Sequence, residues 1–502
     1  MAGLALAVSA MLIDGLLLDP RKGEALASTA GLSTGKRVVT QSSAPVRREA
    51  SGGASLVGTQ PPGKLGAIIA GPQQSGGQTW WKVDFKGGAD GWTQASELQA
   101  AYFPPSESRG GWRSLVPYGG TPNASQKAAI RARAGVDWDK LKRAADYSRS
   151  FTSSSAVLVI RNGYVVGEWG TRSAQGLASI SKSLTGLTMA RMFDMSAAGR
   201  LNKRITPDSY AYPYLPSQWA GGSAAKRQIR VRHLMSMTPG LQPHDYPGAN
   251  NYLNVLMNLP SQHSPGSRWA YASAPVDLLS LITKNVSGRK LRDLFNQQVA
   301  APIGVPAIAW NDFHGSPNTG ASSKAHMRAR DLARIGHLMM MDGFWGGGSA
   351  QRSIVSAGRV RTLLNGCNCS GSTFQSTPGS PFRIGTDSHR YYGQLWWTNR
   401  TQSALGGKVP SDAFYAHGFM EKLLVVVPSQ NLIVVRLGTA PKSQPSFKRE
   451  LMSRVMDALV RPAGAQTAAL DGLAGSGSQP IEITLAEPLE VRRPGASAAR
   501  PG

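Results

Sequence analysis

Two antiparallel strand pairs, placed far apart along the chain, constrain its fold more than any other feature. The first is Ala156-Val-Leu-Val-Ile160, then Asn162-Gly163, then Tyr164-Val-Val-Gly-Glu-Trp169. Asn-Gly between two apolar runs is the strongest short hairpin signal, because both turn positions need positive φ. The second pair is Leu423–Pro428 and Leu432–Arg436, joined through Ser429-Gln430-Asn431. A helix predicted over Val136–Ser148 precedes the first pair, and one over Phe447–Val460 follows the second. The pattern predicts an α+β domain over 128–461. Both ends of the segment share an antiparallel sheet flanked by helices, and a helical subdomain is carried between them.

Ahead of this segment, residues 36–98 read as short strands cut by Gly and Pro: Arg37–Gln41, Ser55–Thr59, Ala67–Ala70, Thr79–Phe85 and Gly91-Trp92. Such a pattern means a small all-β barrel or sandwich. The succession of Val-Arg, Val-Gly-Thr, Pro-Pro-Gly, Thr-Trp-Trp-Lys-Val-Asp-Phe and Asp-Gly-Trp resembles bacterial SH3-like modules attached to envelope enzymes. The resemblance implies an SH3-like barrel and, by extension, contact with cell-wall polymer; a β-domain that merely packs is the alternative. Residues 99–127, rich in Pro, Gly and Ser, read as a linker. The Ala, Gly, Pro and Ser-rich tail 462–502 has the composition of a disordered segment.

Lys plus Arg total 55 against 29 Asp plus Glu, a net charge of +26. Positive charge of this size favours anionic surroundings. No zinc-ligand spacing, phosphate loop or base-stacking motif directs it to nucleic acid, and no run of apolar residues is long enough to span a membrane. Residues 1–35 read as a leader for export, with an apolar stretch over 3–18 and Ala25-Leu26-Ala27 as a cleavage site. Asp14 and the lack of a preceding Lys or Arg are atypical of one. The expected location is periplasmic or secreted, otherwise cytoplasmic. Cys367 and Cys369, two apart, are poorly spaced for a disulfide and too few for a closed zinc site.

The chemistry is carried by hydroxyls and amines. Ser-x-x-Lys occurs at Ser33/Lys36, Ser179/Lys182, Ser223/Lys226 and Ser287/Lys290. On a helix such residues are neighbours, so the amine can take the hydroxyl proton as the oxygen attacks a carbonyl. Spacing alone describes a capping Ser and a solvated Lys equally well. Ser179-Ile-Ser-Lys182 differs because it opens a long apolar run, Leu184–Phe193, as a core helix would. Amides of the first turn favour developing negative charge there. An ordinary lysine pKa is about 10.4 and a base working near neutrality sits near 7–8, so the site must favour the neutral amine by about 4 kcal/mol. Burial acts in that direction. Tyr271, in a loop before a predicted helix Val276–Val286, can relay protons. Phe414-Tyr-Ala-His-Gly-Phe419 leads into the strand at Leu423 and can offer an edge amide to an oxyanion, with His417 near substrate.

Six blocks then occur in family order: Leu177–Gly186, Val231–Leu241, Pro265–Ser273, Ala329–Gly336, Tyr392–Trp397 and His417-Gly418. They resemble class C β-lactamases, related esterases and 6-aminohexanoate-dimer hydrolases, and so imply a β-lactamase/transpeptidase-like fold. The resemblance implies Ser179 as acylated nucleophile, Lys182 as base and Tyr271 as third catalytic residue. It also implies backbone amides of Ser179 and Ala416 as oxyanion hole, and Tyr246, Ser273, His417 and Gly418 as substrate contacts. Ser273 stands where class C enzymes carry Asn, and the edge strand lacks their Lys-Thr-Gly. Both departures point from β-lactams toward a carboxylic ester or linear amide.

The expected function is therefore a serine hydrolase acting on a small-molecule ester or amide without metal or organic cofactor. An anionic envelope polymer is a further expected partner through the SH3-like module and basic surface. The alternative is a peptidoglycan-binding protein with a weak or inactive penicillin-binding-like domain.

Overall fold

A computed structural model describes residues 31–152, 155–221, 223–244, 251–366, 388–439 and 446–460. Most of the candidate leader, Tyr246, Cys367 and Cys369, and the tail 462–502 lie outside the described residues.

The N-terminal strands are β1 (Arg37–Thr40), β2 (Ala44–Arg47), β3 (Leu56–Gln60), β4 (Leu65–Ser75), β5 (Gln78–Phe85), β6 (Gly91–Gln94) and β7 (Leu98–Ala100). They form one antiparallel sheet in the order β3-β2-β6-β5-β4-β1-β7. Alternate residues Val38, Val46, Ile68, Trp81, Val83, Phe85 and Leu98 make its own small core. Strands β2 and β7 were not anticipated from the sequence; Pro45 masks the first and shortness the second. Just ahead of β1, Gly35 N–H donates to Ile68 O at 2.7 Å.

The second sheet comprises β8 (Ala156–Arg161), β9 (Tyr164–Trp169), β10 (Trp397–Thr398), β11 (Phe414–Gly418), β12 (Lys422–Val427) and β13 (Leu432–Leu437). Its order is β10-β11-β12-β13-β8-β9, antiparallel throughout, so the two sequence-distant hairpins meet at the β13–β8 seam. Asn162 (φ 52°) and Gly163 (φ 77°) make the first turn as their types require. Helices α1 (Ala124–Ala134), α2 (Trp138–Arg149), α3 (Ile180–Ala197), α4 (Ala274–Ser287), α5 (Ala329–Met340) and α6 (Phe447–Asp457) surround it. Asn123 with Gln126 forms a capping box on α1, Asp137 caps α2, and left-handed Gly288 ends α4.

One sheet face carries α5, where Gly336 lets the helix close on Leu424, Val426 and Ile433; a Cβ there would lie 2.9 Å from Leu424 Cδ1. The other face carries α2 and α6, bridged by buried Arg436, which donates to Ser148 Oγ and stacks over Phe447. Residues 99–127, read from composition as a linker, include side chains packed against the rest of the chain. Trp112 is 2% exposed and donates to Arg330 O, while Arg334 on α5 donates to Pro104 O and pairs with Glu107. Arg113 and Leu115 exchange backbone hydrogen bonds with Val165, closing the open edge of β9. Composition marked this segment as irregular backbone; irregular backbone is not necessarily exposed. The N-terminal sheet docks through Asp342, which pairs with Arg37 at 3.1 Å and Lys86 at 2.7 Å. Among the described residues no helix is long and apolar enough to cross a membrane.

Candidate active site

The start of α3 supplies the first two groups. Ala178 sits at φ 49°, a left-handed conformation that a β-carbon disfavours, and this bend delivers Ser179 to the head of the helix. Ser179 is half-buried, whereas the following turns are buried on nearly every face. Lys182 is 2% exposed. Its Nζ donates to Ser179 Oγ at 3.0 Å, Ser273 Oγ at 3.1 Å and the Ser322 carbonyl at 3.0 Å.

The other Ser-x-x-Lys pairs resolve differently. Ser223 caps a short helix and Lys226 Nζ donates to Met257 O. Ser287 Oγ donates to Thr283 O while Lys290 pairs with Asp312. Ser33 O accepts the backbone N–H of Lys36. Lys226 is also buried, at 8% exposed, but its amine turns to Met257 O; among the described residues, Lys182 is the one of the four whose amine donates to its serine hydroxyl.

Tyr271 enters from the loop before α4. Its ring centroid is 5.0 Å from Lys182 Nζ. It stacks on Trp397 at 5.6 Å and meets Tyr392 edge-on at 6.0 Å. Burial raises the Tyr392 phenol well above its ordinary pKa, with Tyr271 beside it acting the same way, so Tyr392 is a neutral wall of the aromatic cluster. Ser273, expected to touch substrate, faces Lys182 and is 9% exposed.

The edge strand β11 lies against the entrance to α3. A Cβ on Gly418 would collide with the Leu177 carbonyl oxygen, so glycine permits this approach. Asn399 N–H donates to Ala413 O, and β10 pairs Trp397 with Tyr415. In a strand the peptide groups alternate in direction. Those of 413, 415 and 417 therefore face the β10 edge, and that of Ala416 faces Leu424 on β12. The ladder directs the amide of His417, one position beyond Ala416, to the edge that β10 leaves open. The His417 side chain shares the sheet face of Leu423 and Arg436, with Nε2 3.3 Å from Glu421 Oε2; this is the face of α2 and α6, not of α3. Lys422, across from Gly418, places a cation on the α3 face, and its Nζ donates to Phe419 O.

Two contributors escaped sequence reasoning. Asp277 on α4 is fully buried, and its carboxylate accepts from Tyr252 Oη at 2.7 Å, Ser322 N at 2.8 Å and Ser322 Oγ at 2.9 Å. Burial pushes its pKa up, against the hydrogen bonds from Tyr252 and Ser322 and the nearby Lys182. A lone Asp among Val276, Leu278 and Leu279 was the available signal. Trp397 lay within a recognised block but carried no sign of its stack on Tyr271.

A hydroxyl at a helix head, a buried amine touching it and an aromatic ring beside the amine thus lie together against the edge of an antiparallel sheet, in a chain whose class is a hydrolase of the β-lactamase fold. Residues 147–455 match the family model described as Beta-lactamase, and the chain belongs to that family. An uncharacterized protein of Alkalihalophilus pseudofirmus is 22% identical over 328 residues, covering 57% of this chain and 83% of that protein. Among solved structures, a penicillin-binding protein homologue from Caulobacter crescentus superposes with TM-score 0.48 and 14% identity, covering 63% of this chain and 98% of its own. A family VIII carboxylesterase gives TM-score 0.46 and 14% identity, covering 64% and 97%.

Proposed function

We propose that the protein hydrolyses a carboxylic ester or linear amide through an acyl-enzyme on Ser179. The Oγ–H proton passes to neutral Lys182 as Oγ attacks the carbonyl carbon. The resulting oxyanion is held by the amide of Ser179 and an edge amide of β11, for which strand alternation favours His417 over Ala416. The carbon–oxygen or carbon–nitrogen bond then breaks, and the leaving alkoxide or amine receives a proton from Lys182 by way of Tyr271. Water repeats the sequence on the acyl-enzyme, releasing the acid and restoring the Ser179 hydroxyl. No step needs a metal or organic cofactor.

The observation that carries this reading is the 3.0 Å contact between a 2% exposed amine and the hydroxyl at the head of α3. The edge strand lacks the Lys-Thr-Gly of class C enzymes, which favours ester or amide over β-lactam. The N-terminal sheet is read as an SH3-like module over residues 36–98, joined by 99–127 to the hydrolase domain 128–461. Its docking through Asp342 supports a fixed rather than a tethered module.

The test is a substrate panel: short-chain p-nitrophenyl esters, 6-aminohexanoate dimer, nitrocefin and a D-Ala-D-Ala peptide, each with the wild type and Ser179→Ala. Ester or amide turnover lost in the variant is the expected result. Turnover that survives in Ser179→Ala contradicts it, and peptidoglycan pull-down without any turnover favours the binding protein instead.

A further inference from the structure

The orientation of Lys182 is set from outside the Ser-x-x-Lys helix. Among the described residues, Nζ meets oxygens of different character on Ser179, Ser273 and Ser322. The hydroxyls of Ser179 and Ser273 can donate or accept, but the Ser322 carbonyl can only accept. A neutral amine has two hydrogens and one lone pair. With one hydrogen on the carbonyl and one on Ser273 Oγ, the lone pair is left facing the Ser179 hydroxyl. If the carbonyl swings away, the lone pair has no fixed direction and a hydrogen can point at Ser179 in its place.

Ser322 is held at its N–H and its hydroxyl by a clamp. Asp277 Oδ1 accepts its N–H at 2.8 Å, and Oδ2 takes its hydroxyl at 2.9 Å. Tyr252 Oη, at 2.7 Å, steadies the same carboxyl from the short helix Tyr252–Asn258. The loop is also sewn to α3, through Thr185 Oγ1 to Ala321 O at 2.7 Å and Ala325 N to Ser181 Oγ at 3.1 Å. Those bonds fix the residues on either side of Ser322. The peptide that carries the Ser322 carbonyl is also held on its far side, by Ser323 N–H donating to Gly320 O at 3.2 Å, and Asp277 fixes the near side through the Ser322 N–H and hydroxyl. Ser322 is fully buried and Asp277 equally so, so water cannot replace the clamp.

We propose that Asp277 is a positioning residue for the hydrolytic reaction: through Ser322 it aims the Lys182 amine at Ser179. The inference rests on the reading of Ser179 and Lys182 as nucleophile and base. Asp277 touches neither substrate nor Ser179 in this arrangement, so its effect falls on the rate of acylation rather than on substrate binding.

The test compares Asp277→Ala with Asp277→Asn in the full chain. The readouts are the rate constant for labelling by a fluorophosphonate probe, normalised to titratable sites, and kcat and KM on a p-nitrophenyl ester. Normalisation removes any loss caused by misfolded protein. Asn keeps an oxygen for the Ser322 N–H, and its NH2 can donate to both hydroxyls. Asp277→Ala is expected to label and turn over roughly 10–100-fold more slowly with KM unchanged. Asp277→Asn is expected to recover most of that loss. Should Asp277→Ala not fold, Ser322→Ala removes one arm of the clamp, and a labelling rate lowered about 3-fold or more at unchanged KM is the expected result. Labelling of Asp277→Ala at the wild-type rate overturns the proposal, as does Ser322→Ala at the wild-type rate where it alone folds. If the wild type itself takes no label at Ser179, the nucleophile assignment fails, which is a separate outcome.

Discussion

The Lys182 amine sits 3.0 Å from the Ser179 hydroxyl, one helical turn away and 2% exposed to solvent. The amine–hydroxyl contact separates this pair from the buried Lys226, whose amine turns to Met257 O, and from the two other Ser-x-x-Lys pairs. A solvated ammonium in the same position could not serve as a base near neutrality.

Tyr271→Phe separates the phenol from its packing. The ring keeps its stack on Trp397 at 5.6 Å, so stability should fall by no more than about 1–2 kcal/mol in urea unfolding. Ester turnover should fall about 10²–10⁴-fold, the range for a lost general acid–base group. Unchanged kcat would remove Tyr271 from the proton path.

Gly418→Ala tests how closely β11 must approach the nucleophile. The added methyl would collide with Leu177 O and would lie 3.4 Å from Ile180 Cγ1. Relief requires the edge strand or the α3 entrance to move, at about 1–3 kcal/mol. Turnover should fall more than about 10-fold, because an oxyanion donor moves with the strand. Activity assays alongside thermal melting report both effects.

The strands at both ends were legible in the sequence because β-branched runs and turn residues act locally. The core helix was legible because Leu184–Phe193 is apolar on most faces and is in fact buried. Ser179 and Lys182 were legible as a pair only because that helix marks them. What was not legible depends on partners distant in sequence. Asp277 reaches across 45 residues to Ser322, and Trp397 finds Tyr271 through tertiary packing alone. The packing of segment 99–127 was not legible for a related reason. Its Pro and Gly content describes the backbone faithfully, but Trp112, Tyr102 and Glu107 find buried partners on α5 that no local pattern encodes. Which amide of β11 faces the open edge depends on its pairing to β10, which the sequence does not give.

His337 on α5 predicts loss of stability in acid. It is fully buried, its Nε2 engages Tyr102 O at 2.9 Å, and burial with Arg334 and Arg113 nearby lowers its pKa to about 3. The unfolded chain binds a proton near the ordinary value of about 6.5. Stability is therefore present above about 6.5 and lost as pH falls toward 3, by up to about 1.4 kcal/mol per pH unit from this group. Urea unfolding between pH 7.5 and pH 4.5, with His337→Gln as control, should show a weaker pH slope in the variant.

Asp342→Ala tests whether the N-terminal sheet is integral. Arg37, 7% exposed at its side chain, loses its carboxylate partner and Lys86 loses its own. A partly buried guanidinium left unpaired costs about 3 kcal/mol. Proteolysis should then cut between the sheet and α1 sooner than in the wild type. Unchanged stability would mean that the charge cluster contributes nothing to docking.

The most direct measurement is the location of a covalent adduct. Wild-type protein treated with a fluorophosphonate, digested and analysed by mass spectrometry should carry the phosphonyl group on the peptide containing Ser179. Lys182→Ala should acquire it at least about 10³-fold more slowly at neutral pH. An adduct on any other serine, or equal labelling of Lys182→Ala and wild type, would contradict the account.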